Sequence, residues 1–424
     1  MREDDKLRRR SKSTQVQRIA ERGKRSGGAG VIRAHADARR EFDGLILRAA
    51  EVGEFRKQLL GWFRQFQRDL PWRRTKDPYC IWISEIMLQQ TRVAAVIPYY
   101  ERFLARFPDV RTLAEAAEEE VLRLWSGLGY YSRARNLQKA ARQIVGLHGG
   151  EFPGEAEAAL ALSGIGSYTA AAILSIAFDA RHAVLDGNVA RVLARLGAVR
   201  GDLRESRRWQ SLQSTAQKLL DPEGPGDWNQ AMMELGAMVC TPRAPQCLVC
   251  PVAKFCGVRK SGDPESFPEK RKKREAVDVI LAAAVLITPR GETLLLPPPG
   301  AKAENKPAED DVATLVSRMW HFPTIAIRKD AVAELRVFLA SVLPGKNGAL
   351  CLEPLAKVRH AVTYRKVTVL PFRITIAKLP RLRGAKSVRL EEISTLPISN
   401  LTRKIARAAL TKSAKAAAAD AAGA

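Results

Sequence analysis

The sequence predicts a mainly α protein: an all-helical region that runs to Cys256, followed by a smaller α+β domain. Three observations carry this prediction. Apolar residues recur at helical spacing from Phe55 onward, beginning with Phe55, Leu59, Trp62, Phe63 and Phe66. After Cys256 the composition turns polar, basic and proline-containing over Ser261–Ala276, as a linker does. Beyond it, VDVILAAAVLIT (Val277–Thr288), ETLLLP (Glu292–Pro297) and VRHAVTYRKVTVLPFRITIAKL (Val358–Leu379) read as strands separated by turns.

Residues 1–50 are rich in Arg, Lys, Gly and Ser and carry few large apolar side chains before Leu45. Such a stretch buries too little surface to offset ordering entropy, so a basic, disordered extension is expected. The helical domain is placed at 51–258. Its first helix covers Glu54–Phe66 and is broken at Pro71 and Pro78 within DLPWRRTKDPY. Ile81–Phe103 is expected to resume as one helix. Amphipathic helices follow around Thr112–Leu124, Ser132–His148, Ala156–Leu162, Ser167–Ala177, Val189–Leu196, Arg208–Leu220 and Asn229–Val239, with Gly or Pro in the connectors. A basic linker is placed at 259–276 and the α+β domain at 277–410, with a helix near Asp310–Met319. The tail, 411–424, is low in complexity and expected to be disordered or weakly helical. No internal repeat is visible.

With 424 residues, the chain has room for two or three domains, each with its own core. The formal charge of +25, from 70 basic and 45 acidic residues, points to a polyanionic partner bound in a salt-dependent way. Charge alone does not separate DNA from RNA or an anionic membrane surface, and a basic protein with solvated tails is the bland alternative. No apolar run reaches the roughly 18–20 residues of a membrane helix. The N-terminus lacks an apolar signal core, and Glu3, Asp4 and Asp5 argue against a transit peptide. Thiols reserved for metal ligation fit a reducing compartment, so a cytoplasmic protein that is not secreted is expected.

Four of the six cysteines fall between Cys240 and Cys256, with Cys247 and Cys250 between them. Such clustering suits one soft, multi-thiolate site, because thiolates select zinc or iron–sulfur clusters over hard cations. Structural zinc also takes four cysteines, but more often as two short pairs joined by a longer loop, a layout absent here. Two disulfides are the remaining alternative. A [4Fe–4S] cluster held by four thiolates is preferred.

Two further segments carry candidate chemistry, and a third presents a turn. LSGIGSYTAAAIL (Leu162–Leu174) places Gly164 and Gly166 in a tight turn before a helix, where backbone N–H groups can meet an anion such as a phosphate. In AVLDGNVARVLARL (Ala183–Leu196), Asp186 immediately precedes a helix, and it or Asn188 reads equally as a helix cap. Glu85 lies in WISEIMLQQTRV among Ile81, Trp82, Ile83, Ile86, Met87 and Leu88. Ionising a carboxyl group there costs desolvation, which favours a proton donor near neutrality; a salt-bridged structural glutamate is the alternative.

Taken together, these segments resemble a known family. The cysteine spacing and the Gly164–Gly166 turn are similar to the endonuclease III-like helix–hairpin–helix DNA glycosylases. SEIMLQQT, LPWR, GLGYYSRARNL (Gly127–Leu137) and NQAMMELGAMVC (Asn229–Cys240) resemble the MutY-type adenine-specific branch, over about Asp69–Cys256. The resemblance implies a two-lobed helix–hairpin–helix domain, a [4Fe–4S] loop at 240–256 and a C-terminal Nudix-like domain that reads the lesion. It implies a monomer acting on double-stranded DNA, excising adenine mispaired with 8-oxoguanine or guanine, near the nucleoid and away from any membrane.

The resemblance also implies residue roles. Glu85 would be the general acid that protonates adenine, and Asp186 would stabilise or trap the oxocarbenium-like sugar. Asn188 and Tyr168 would orient that carboxylate and the nucleophile. Trp72, Arg73, Leu88 and Glu234 would line the adenine pocket, while Gln90, Thr91, Leu128 and Tyr130 would enter the DNA helix beside the lesion. Cys240, Cys247, Cys250 and Cys256 would hold the cluster, with Arg243 and Lys254 on phosphates. Arg133 and Arg135 read as phosphate contacts or solvated charges. The family's Schiff-base lysine would fall at Tyr168, and no lysine occurs between Lys139 and Lys218, so a monofunctional enzyme is expected. Ala190 stands where some relatives carry lysine. MWHFPT (Met319–Thr324) matches the Nudix-like domain, but Val362-Thr363-Tyr364 replaces the usual Phe-Ser-His, leaving Thr363 and Tyr364 as lesion contacts. The glutamate-rich helix of Nudix hydrolases is missing. Rival readings are a thymine or general mismatch glycosylase and a noncatalytic cluster protein that binds DNA or senses redox state.

Overall fold

The computed structural model describes residues 47, 49–269, 275–298, 312–316, 318–343 and 350–422. Nearly all of the extension expected over 1–50 lies outside them, as do 270–274 of the expected linker and the last residues of the tail. In chain order the helices are α1 (Ala49–Phe66), α2 (Pro78–Leu88), α3 (Val93–Arg106), α4 (Val110–Glu115), α5 (Glu118–Trp125), α6 (Ser132–Leu147), α7 (Ala156–Leu160) and α8 (Ser167–Phe178). They continue with α9 (Gly187–Leu196), α10 (Ser206–Leu219), α11 (Pro225–Met238), α12 (Gly257–Ser261), α13 (Val312–Leu315), α14 (Ala331–Val342) and α15 (Asn400–Ala422). The strands are β1 (Val277–Ile287), β2 (Glu292–Leu295), β3 (Thr324–Ala326), β4 (Glu353–Pro354), β5 (Val358–Val362), β6 (Arg365–Thr375) and β7 (Lys386–Arg389). Two compact units result: Met1–Arg68 with Arg181–Arg271, and Asp69–Ala180 with Lys272–Ala424.

The first unit packs α1 against α11. Phe55, Leu59 and Phe63 recur every fourth residue along α1 and are fully buried, as is Trp228. Phe55 meets the Trp228 and Phe255 rings edge-on at 5.7 and 5.4 Å. Arg56 reaches the end of α10 and donates to the carbonyls of Leu219 (3.0 Å) and Leu220 (2.6 Å), groups left without partners within the helix. The segment read as a linker starts as ordered chain: it holds α12, a turn at Pro264–Ser266 and a buried Phe267.

The second unit surrounds α2. Ile81, Trp82, Ile83, Ile86 and Met87 are all buried, so this helix is apolar on every side and forms the centre of the core. The single helix expected over Ile81–Phe103 is instead two. α2 ends at Leu88, Gln90 adopts a left-handed φ of 57°, and α3 starts at Val93. The polar run Gln89-Gln90-Thr91-Arg92 offers no apolar face to continue the buried stripe. Thr112–Leu124 likewise splits into α4, capped by Asp109 and Thr112, and α5.

The sheet of this unit runs in the order β4-β6-β1-β2-β7, with β3 on β1 and β5 on β6. β1 and β6 are parallel from Val277↔Arg365 to Ile287↔Thr375. Both faces of β1 are covered, which explains its unbroken apolar run. Leu281, Ala283 and Val285 join a core with Leu401 and Ile405 of α15, while Ala282, Ala284 and Leu286 join one with Leu335 and Leu339 of α14. Within the unit, the segment leading into α15 reaches the turn between α5 and α6. Ser126 and Tyr131 both donate to the Ile398 carbonyl, at 3.0 and 3.2 Å, and Arg403 donates to Ser126 Oγ at 2.8 Å. Among the described residues no helix is long and apolar enough to cross a membrane.

Candidate active site

Asp186 is the N-cap of α9. Its Oδ1 accepts from the backbone N–H groups of Asn188 (2.9 Å) and Val189 (2.7 Å), and its Oδ2 accepts from Asn188 Nδ2 (3.1 Å). The cap reading of the sequence is therefore realised, and it leaves the carboxylate held in one orientation. Burial pushes the Asp186 carboxyl above its usual range, even though those N–H groups and the nearby Arg191 pull the other way. Arg191 extends the network. It donates to Asn188 Oδ1 at 2.9 Å, to the Gly236 carbonyl at 2.8 Å and to the Cys240 carbonyl at 2.9 Å. The chain Asp186–Asn188–Arg191 thus ends on the first cysteine of the cysteine loop. Gly236 permits this approach: a Cβ there would stand 2.8 Å from Asn188 Cβ.

Glu234, also on α11, is 1% exposed and accepts from the Arg68 backbone N–H (3.0 Å) and Nε (2.8 Å). Its charge is matched by a guanidinium whose own pKa is raised by the pairing.

In the second unit, Glu85 is 6% exposed on the apolar helix α2, and Tyr168 Oη donates to its Oε2 at 2.9 Å. Tyr168 sits in the first turn of α8, directly after the Gly164–Gly166 turn. Asn188 thus holds Asp186, and Tyr168 holds Glu85. Gly164 has φ 79° and Gly166 is the N-cap of α8, both exposed; a side chain at Gly164 would press on Asn136. Trp72 is buried with its ring edge-on to Tyr100 at 5.4 Å, while Arg73 and Leu88 are half-buried.

The four residues expected to enter DNA lie on two turns. Gln90 and Thr91 follow α2, and Leu128 and Tyr130 lie between α5 and α6. Gln90 and Tyr130 are exposed, Thr91 is half-buried, and Leu128 packs into the helical core. Arg133 is neither solvated nor available to a phosphate: it is buried, at 9% exposure, behind these turns. Thr363, with φ 55°, forms the tip of the β5–β6 turn, and Tyr364 beside it lies under the Arg365 guanidinium at 5.0 Å. Trp320 and Phe322 of MWHFPT are buried in the sheet core.

Cys240, Cys247, Cys250 and Cys256 line one cavity together with Arg195, Val239, Val258 and Arg259. All are free thiols, so neither disulfide pairing is formed. Among the described residues no His, Cys, Asp or Glu group is arranged to hold a single metal ion. The donor set still fits a multinuclear centre, where each sulfur binds its own iron and the ligands surround a cavity instead of converging on one point. Arg195 supplies positive charge to the thiolates: its Nη1 lies 3.3 Å from Cys240 Sγ and donates to the Thr241 carbonyl (2.7 Å), while its Nε donates to the Phe267 carbonyl (2.9 Å). Burial pushes the Cys250 thiol up to about 11. Lys254 pairs with Glu54 at 3.3 Å on the surface.

The sequence context of Arg68, Arg191 and Arg195 does not mark them as parts of a site, and that of Arg133 suggests only a phosphate contact or a solvated charge. For Arg191 the signal was present, since it lies three residues after Asn188 on one helix face. For the others, no local pattern marks an arginine as buried.

A family model described as "HhH-GPD superfamily base excision DNA repair protein" matches residues 83–218. The adenine DNA glycosylase of Homo sapiens is 36% identical over 411 residues, covering 84% of this chain and 74% of the human one. That of Mus musculus is 34% identical, covering 84% and 78%. Among solved structures, one titled as a thermostable thymine-DNA glycosylase is 30% identical and covers 50% of this chain and 98% of its own, with a TM-score of 0.46.

Proposed function

The chain belongs to the adenine DNA glycosylase family, and we propose from that premise that Glu85 is its general acid and Asp186 the carboxylate that stabilises or traps the sugar cation. The activity itself is that of an adenine-specific DNA glycosylase, an enzyme of base excision repair. We take its substrate to be adenine opposite 8-oxoguanine or guanine in double-stranded DNA, bound by a monomer in the cytoplasm at the nucleoid.

The observation that carries the reading is Glu85, enclosed in the apolar helix α2 and held by the Tyr168 hydroxyl at 2.9 Å. A carboxyl group in such surroundings is suited to carry a proton to a base that has left the stack. The proton passes to a ring nitrogen of adenine as the bond between C1′ and N9 breaks, and the electron pair leaves with the base. Asp186, fixed by two backbone N–H groups and Asn188, faces the positive charge that develops on the sugar. Water then adds at C1′, its proton goes to a carboxylate, and an abasic sugar remains. With Tyr168 at the position of the family's lysine, no Schiff base forms and the strand stays intact.

Trp72, Arg73, Leu88 and Glu234 are assigned to the adenine pocket. Gln90, Thr91, Leu128 and Tyr130 are assigned to the opening beside the lesion, Gly164 and Gly166 to a phosphate, and Thr363 and Tyr364 to the damaged base. Cys240, Cys247, Cys250 and Cys256 are assigned to a [4Fe–4S] cluster, which when bound orders the loop. The basic surface implied by a charge of +25 adds affinity that falls with salt.

Single-turnover adenine release tests the reading, on duplexes with adenine opposite 8-oxoguanine, guanine or thymine. Wild type is expected to release adenine opposite 8-oxoguanine, and Glu85→Gln to lose release by at least about 100-fold while still binding DNA. Full release by Glu85→Gln would remove Glu85 from the reaction. Release of thymine in place of adenine would move the chain to a mismatch glycosylase.

A further inference from the structure

Arg133 is a buried cation with no assigned part in the reaction. One terminal nitrogen donates to the carbonyls of Ile86 (2.8 Å), Met87 (2.9 Å) and Gln89 (2.5 Å). The other donates to Thr91 Oγ1 (3.2 Å) and to the carbonyls of Gly129 (3.2 Å) and Leu128 (3.5 Å). One guanidinium therefore binds the end of α2, the turn that follows it and the turn between α5 and α6.

We propose that Arg133 is a positioning residue that locks the Gln89–Arg92 and Leu128–Tyr130 turns into a single rigid wedge for entering the DNA stack. The proposal rests on the reading of the Gln90–Thr91 and Leu128–Tyr130 turns as DNA-entering, through their exposed residues Gln90 and Tyr130.

Three features support it. Each turn contains a non-glycine residue in left-handed backbone, Gln90 at φ 57° and Tyr130 at φ 49°. Such residues are strained and persist only where their surroundings over-determine them. The carbonyls that Arg133 holds, those of Gln89 and Gly129, belong to the peptides leading directly into these two residues. The same cation thus fixes the entry to both strained positions.

The charge is also matched to this task and to no other. Among the described residues Arg133 has no carboxylate partner; it sits at the C-terminal end of α2, where the helix dipole is negative. The rings of Trp125 and Tyr130 lie 5.5 and 5.6 Å from it. Burial lowers its pKa to about 10, which leaves it charged at neutral pH. On the far side the second turn is anchored through Ser126, which binds the Ile398 carbonyl and Arg403. A lysine presents its donors from one point and cannot span both turns.

The test uses the full-length protein and the variants Arg133→Lys and Arg133→Ala, checked for folding by circular dichroism. Affinity for the lesion duplex, extrusion of 2-aminopurine placed at the target adenine, and the pH profile of excision are measured. Arg133→Lys is expected to lose about tenfold or more in affinity and extrusion with an unchanged pH profile. Wild-type affinity and extrusion in a folded Arg133→Lys would overturn the proposal. If neither variant folds, hydrogen exchange in the wild type decides. Peptides covering 86–92 and 127–131 should show matched protection, and a difference beyond tenfold would overturn the lock. A wild type that releases no adenine sinks the proposed activity instead, and leaves the exchange measurement to judge Arg133.

Discussion

Asp186 carries two demands that conflict. As the cap of α9 it benefits from ionisation, because its Oδ1 accepts two backbone N–H groups at the positive end of the helix. Burial opposes ionisation and wins, so its pKa in the folded protein lies above the ordinary 3.8. The sign of the linkage follows. A raised acid pKa makes the folded state bind its proton more tightly than the unfolded chain, so Asp186 costs stability once pH rises above 3.8 and costs nothing well below it. Asp186→Asn should abolish adenine release. Its stability relative to wild type should improve as pH rises above 3.8 and level off once pH passes the raised folded-state value, whatever constant offset the altered contact with Asn188 introduces. Chemical denaturation of both proteins between about pH 3 and 7 checks this, and a difference that is flat throughout or declines would refute it. A buried carboxyl group whose ionisation weakens the fold is the usual mark of a functional site.

At the scale of elements, the arrangement depends on how closely α11 approaches α9. In an open helix, replacing glycine by alanine stabilises by about 1 kcal/mol. At Gly236 the new Cβ would meet Asn188 Cβ at 2.8 Å and the Asn188 backbone at 3.2 Å, and backbone cannot move away cheaply. Gly236→Ala should therefore destabilise, by about 1–3 kcal/mol. Because the displaced residue is the one that orients Asp186, adenine release should fall at temperatures where the variant is fully folded. A thermal melt with a single-turnover assay reads both, and unchanged or raised values would show that the helices adjust. Most elements were legible from apolar spacing: α1, α6, α8, α9, α10 and α11 lie close to where the periodicity puts them. The break after Leu88 was not, although it creates the Gln90–Thr91 turn. Apolar spacing resumes at Val93 on a helical period, so the four polar residues between read equally as a polar helix turn or as a break.

For the molecule as a whole, the cysteine loop joins distant parts of the first unit. Arg195 binds Cys240 Sγ together with the carbonyls of Thr241 and Phe267, and Arg191 binds the Cys240 carbonyl and Asn188. Replacing a ligand should loosen both ends of this network. Cys250→Ser is expected to lose iron and acid-labile sulfide, to melt at lower temperature and to bind the lesion duplex more weakly. Metal analysis that finds zinc in the wild type, or full DNA affinity in an iron-free variant, would count against the cluster and its ordering role. The sequence by itself determined the helical region and the later sheet, and it marked the four clustered cysteines and the carboxylates Glu85 and Asp186 as candidates, because periodicity, ligand spacing and the character of a segment act over a few neighbouring residues. Only the tertiary structure decided that Arg133 is buried among the carbonyls of two turns, that Leu128 packs inward, that Glu234 is paired with Arg68, and that the Tyr168 hydroxyl reaches Glu85. Each of those outcomes depends on which carbonyl, ring or charge arrives from a remote part of the chain, and a buried polar side chain is stable only where such partners meet it.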